Sequence, residues 1–274
     1  MNTHPEFPCF DALLPDLNQF LLDLVEEYKA GKINSWDDLE EKVTAFFTPE
    51  MMRQVEVVVP HWRKMASYAE GITLVHVMCV FLGLFMLPEF QRLSKYQQGL
   101  MKWIVLFHDV EKELPTGGRD FGHAFRSAVG AARALPKLGF PTATEYGLLI
   151  DEWSEFTSSA VILPPGNANN VQDNRKLPQI MDGIERMFGH NTPAALIIKT
   201  ILFHLSVGVT FWPPPAPLTD EEMKEYFDYE LIPLLKMMHL ADNEGWGMFN
   251  PEDRERGRAG IIEAFDGVER LVSD

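Results

Sequence analysis

The stretch "KWIVLFHDVEKE", residues 102–113, ends an apolar run on His108 and places Asp109 directly after it. Adjacent side chains on a helix diverge by about 100°. They still converge on one ion held above a helix end, and a carboxylate has two oxygens with which to reach a second ion. Imidazole plus carboxylate suits Mn, Fe, Co, Ni or Zn, and ligand type alone does not choose among them. The chain has eight histidines, and four sit within or at the end of apolar segments: "TLVHVMCV", "VLFHDVEK", "TILFHLSV" and "KMMHLADN". One histidine on an apolar helix face is ordinarily a core residue. Four such placements, one of them joined to an aspartate, point to metal binding, because neutral imidazole is a common metal ligand.

The elements that must position these residues read as helices almost throughout. Apolar residues recur at three and four in "FDALLPDLNQFLLDLVEEYKAGK", and Gly31 is a C-cap candidate. Ser35 with Asp38 makes a weakened capping box. Thr48 with Pro49 opens a helix that ends in "VEVVV", a run that a short strand also fits. Long helices are predicted over 64–87, 91–108, 121–136 and 143–161, and a last one near 251–272. Two loops, 163–178 and 208–222, are rich in Pro, Asn and Gly; loops of this length often cover a site. Thr219 and Glu222 form a capping box after the second loop. Trp153, Phe156, Phe211 and Trp212 are either pocket-lining or core aromatics.

With His76 upstream of His108 and Asp109, and Asp242 downstream in "LADNEG", the sequence resembles the HD-domain metal-dependent phosphohydrolase superfamily, whose pattern is H…HD…D on an all-α bundle. The resemblance is best over 68–135 and resumes near 198–245. It implies that His76, His108, Asp109 and Asp242 are the core ligands of a divalent transition metal, one or two ions per chain, with Asp109 able to bridge. Two-metal members add histidines between the HD pair and the last Asp, where His123 and His204 stand. Lys112 matches a lysine often found after the HD pair, and with Asp109 it is the catalytic candidate. Lys112, Arg119 and Arg126 are candidate phosphate contacts; the two arginines also read as surface residues. Glu111 departs from the small residue usual in the family. His239, three residues before Asp242, is either an orienting partner or a core histidine.

The chemistry implied is hydrolysis of a small phosphorylated molecule, a nucleotide above all. One alternative is a di-iron oxygenase on the same HD scaffold; another is a non-catalytic metal- or nucleotide-binding regulator. The 274 residues carry a formal net charge of -16, and the densest basic run, "RERGR" at 254–258, is short. A nucleic-acid polymer is therefore not an expected partner. The N-terminus lacks the pattern of a signal peptide, and "ITLVHVMCVFLGLFMLP" is short for a membrane span. A cytoplasmic protein with reduced Cys9 and Cys79 and no membrane partner is expected. The fold expected is all-α: an HD-like helical bundle over 61–274 preceded by an N-terminal helical extension over 1–60.

Overall fold

The computed structural model describes residues 6–62, 72–113, 119–164, 169–209, 214 and 216–273. Thirteen α-helices occur among them: α1 (Leu17–Lys29), α2 (Trp36–Phe46), α3 (Pro49–Val58), α4 (Ile72–Met86), α5 (Pro88–Arg92), α6 (Lys95–Phe107), α7 (His123–Ala134), α8 (Tyr146–Ser158), α9 (Leu177–Phe188), α10 (Pro193–Phe203), α11 (Asp220–Tyr226), α12 (Leu231–Trp246) and α13 (Pro251–Ser273). The all-α expectation holds. The one sheet among the described residues is a two-stranded antiparallel pair, Val161–Ile162 with Val171–Gln172.

Local chemistry accounts for the helix starts. Ser35 Oγ accepts from the Asp38 amide and Thr48 Oγ1 from the Met51 amide. Thr219 and Glu222 cap each other reciprocally. Gly31 takes the left-handed backbone at φ 68° that ends α1. The "VEVVV" run is helical, within α3 and its C-cap. The helix expected over 91–108 is instead two. Leu93 is extended, and Ser94 starts α6 with its own capping box to Gln97. The loop at 163–178 is shorter than expected, because strand pairing and a 3₁₀ turn at Asn174–Lys176 enter it. Residues 64–71 of the predicted 64–87 helix, and Phe211 and Trp212, lie outside the described residues.

One continuous cluster of buried apolar side chains runs from Phe10 to Val268, so the N-terminal helices share the core of the rest of the chain. α4 is buried from Thr73 to Leu84 and α10 along its whole length, as helices apolar on all sides must be. No helix among the described residues is long and apolar enough to cross a membrane. α4 packs on α12, and α10 on α6 and α7. The α4–α12 crossing is unusually close. A Cβ on Gly83 would lie 2.5 Å from Glu244 Cβ, and one on Gly245 would lie 2.6 Å from Val80 Cγ2. Two glycines thus let His76 of α4 approach Asp242 of α12.

Candidate metal centre

His76 projects from the middle of α4, and Asp242 from α12. His108 is the C-cap of α6 with Asp109 next, His204 is the C-cap of α10, and His123 opens α7. All four histidines and Asp109 are buried. Two groups result whose ligand atoms lie within 4.8 Å of one another: His76, His108 and Asp242, and Asp109, His123 and His204. Asp109 stands between them. Its oxygens lie 3.7 Å from His76 Nε2, 3.6 Å from His108 Nε2, 2.9 Å from His123 Nε2 and 3.9 Å from His204 Nε2.

The tautomers follow from backbone contacts. His108 Nδ1 donates to the Val105 carbonyl, His204 Nδ1 to the Ile201 carbonyl, each at 2.7 Å, and His123 Nδ1 to the Asp120 carbonyl. A carbonyl only accepts, so the proton of each neutral ring is on Nδ1 and each Nε2 offers a lone pair. These lone pairs face one another: His123 Nε2 is 3.3 Å from His204 Nε2. His108 Nε2 has no hydrogen-bond partner. His76 Nε2 lies 3.0 Å from Asp242 Oδ1 but outside hydrogen-bond geometry, and both atoms are buried without partners. Buried polar atoms without partners are costly. A cation between them removes the cost, so these groups could hold a metal ion.

The electrostatics agree. Burial pushes the His204 imidazole down to about 3, with His123 and His108 adding to the effect. Burial likewise lowers His108, against the pull of Asp109 and Asp242. Burial acts to raise Asp109, yet the charges beside it, the Lys112 ammonium first, outweigh it and hold the carboxyl well below the usual range. Burial likewise acts to raise Asp242, and the facing His76 outweighs it and holds that carboxyl low. Neutral imidazoles and ionised carboxylates are the protonation states that metal binding requires.

Lys112 Nζ is 2.6 Å from Asp109 Oδ2. The same ammonium sits 5.4 Å from the centre of the Trp246 indole, which packs tilted at 31° against His76, ring centres 4.3 Å apart, and is 55% exposed. Arg126 points inward, to the Asp120 carboxylate and the Glu111 carbonyl. The Arg119 backbone amide donates to Asn169 Oδ1. His239 packs on Phe265 at 5.1 Å rather than joining the cluster, and Trp153 is a core residue whose indole donates to the Ile180 carbonyl. Phe156 lies half-buried against the core under Lys176. Three neighbours were not singled out from the sequence: Trp246, Asp120, and His61, whose Nδ1 is 2.7 Å from Glu111 Oε2. Comparison with protein-family models, curated proteins and solved structures finds no significant match.

Proposed function

We propose that the chain is a metal-dependent hydrolase of the HD type, acting on a small phosphorylated molecule with a nucleotide as the favoured case. One observation carries the reading. Four buried imidazoles, three of them locked with Nε2 lone pairs inward, surround one buried carboxylate, and a second carboxylate closes the far side. His76, His108 and Asp242 would hold one ion; His123 and His204 a second, with Asp109 reaching both. The donor set of nitrogen and oxygen fits Mn, Fe, Co, Ni or Zn. When bound, such a metal supplies an acidified water and positive charge for phosphoryl oxygens.

The chain's own residues do the rest. Asp109, or a carboxylate beside it, orients the attacking water. Lys112, with its side chain 19% exposed, holds Asp109 ionised and is placed to meet a substrate oxygen. Trp246 covers His76 beside Lys112. Arg126 supports the site from behind through Asp120.

The test is a panel of nucleotides and simple phosphate esters assayed with Mn, Co, Ni, Mg and Fe. Metal-dependent phosphate release is expected, and Lys112→Ala should lower kcat/KM by about 10-fold or more with metal retained. If no phosphate is released but iron-loaded protein consumes oxygen with an organic substrate, the oxygenase alternative replaces this reading. Tight nucleotide binding without turnover of either kind points to a regulator.

A further inference from the structure

Beside His123 lies a knot of polar groups centred on Asp120. The Asp120 side chain is fully buried. Its Oδ2 accepts from the Glu113 amide at 2.7 Å and from the Arg126 guanidinium, and its Oδ1 accepts from Asn170 Nδ2 at 2.7 Å. Asn170 Oδ1 in turn accepts from the Gly122 amide at 2.7 Å, and Asp120 and Asn170 form an isolated parallel bridge. Arg126 adds a contact to the Glu111 carbonyl at 3.3 Å, and the Glu111 amide donates to Ser127 Oγ at 3.1 Å. The chain just after Asp109 and the first turn of α7 are thereby tied through one carboxylate. The same residue's carbonyl takes the Nδ1 proton of His123.

We propose that Asp120 is a positioning residue for His123, acting with Arg126 and Asn170 to fix both the tautomer and the distance of that imidazole from Asp109. The inference rests on the metal-centre reading above. Asp120 accepts three hydrogen bonds through its side chain, and these leave its carbonyl one orientation, toward His123. With the carbonyl fixed, His123 holds its proton on Nδ1 and directs Nε2 to within 2.9 Å of Asp109 Oδ1. Release of the carboxylate lets the carbonyl turn, and the ring then loses both its donor geometry and its reach. Close contacts of His76, His108 and Asp242 run to Asp109 and to one another, and it is the His123 group that the knot reaches directly. Packing reinforces the arrangement: a Cβ on Gly122 would lie 2.2 Å from Val161 Cγ1, so the turn before His123 sits directly against the strand pair.

The test is titration of the metal-free full chain with Co(II), followed by calorimetry and visible absorption. The variants are Asp120→Asn, Asn170→Ala, Arg126→Lys and Arg133→Ala. Arg133 is on the same helix but bonds Asp151 and Ser154, outside the knot, and controls for a general loss of helix stability. The parent is expected to bind two ions. Asp120→Asn should bind the first unchanged and the second about 10- to 100-fold more weakly. Asn170→Ala should move in the same direction, which keeps the proposal testable if Asp120→Asn does not fold. Arg126→Lys, which keeps a cation beside Asp120, should fall between Asp120→Asn and the parent. Arg133→Ala should melt lower yet bind both ions as the parent does. If Asp120→Asn or Asn170→Ala melts lower but binds both ions with parental affinity, the knot is packing and the inference is wrong. A parent that binds one ion, unchanged in Asp120→Asn, overturns it while leaving a mononuclear site standing. A parent that binds no Co(II) ends both readings.

Discussion

His204 carries the clearest pH signature of any residue in the site. Its imidazole is held neutral by burial down to about 3, against an ordinary value of 6.5. In the unfolded chain it takes up a proton as pH falls through 6.5; in the folded chain it resists until much lower. The unfolded state therefore binds more protons over that window, and stability is lost as pH falls from 6.5 toward 3. Asp109 and Asp242, whose carboxyls are depressed in the fold, add a second loss at lower pH as they are protonated. The melting temperature of metal-free protein should thus fall steadily between about pH 7 and pH 4, and His204→Gln should flatten the upper part of that fall. A parent and a His204→Gln protein with identical slopes would show that His204 is not the titrating group. At this scale the sequence was legible wherever chemistry is local. The His108–Asp109 pair, His76, His123, His204 and Asp242 all stood out by type and setting, and the fold gathers all six. Trp246, His61 and Asp120 did not stand out. His61 meets Glu111 across 50 residues, and Asp120 matters through partners at 113, 126 and 170. No local pattern encodes such contacts.

At the scale of elements, the crossing of α4 and α12 sets the distance between His76 and Asp242. Alanine in place of a mid-helix glycine ordinarily stabilises by about 1 kcal/mol. At Gly245 the added Cβ would also lie 3.0 Å from both Val80 Cα and Val80 N, and backbone cannot swing aside as a side chain can. Overpacking of this kind costs about 1–3 kcal/mol and wins over the propensity gain. Gly245→Ala should therefore lower the melting temperature and weaken metal binding. Gly267→Ala in α13, where nothing lies within 4 Å, should raise it. Equal, positive shifts for both would mean that the helices do not cross so closely. The helices themselves were legible from periodicity and caps such as Ser35, Thr48 and Thr219. Two features were not: the break before Ser94, which interrupts an otherwise helical pattern, and the small strand pair, whose partners are separated by a loop.

At the scale of the whole molecule, the candidate ligands come from five helices and helix ends spread from His76 to Asp242, so an ion would tie together elements far apart in sequence. Metal that binds the folded chain and not the unfolded one adds about 2.7 kcal/mol at a free concentration 100 times its Kd. Chelation should accordingly lower the melting temperature in the parent and have little effect once His108 or Asp109 is replaced. The net charge of -16 acts at the same scale and disfavours a long polyanion; under the proposed function a small phosphate would need only local compensation by metal and Lys112. Metal binding is the claim on which the rest depends. Elemental analysis of protein purified without chelator, parent beside Asp109→Ala, should find one or two transition-metal ions per chain in the parent. The variant should have lost most of them while keeping its helical circular dichroism. Full metal retention in Asp109→Ala, or no metal in a parent offered Mn, Fe, Co, Ni and Zn, would contradict it.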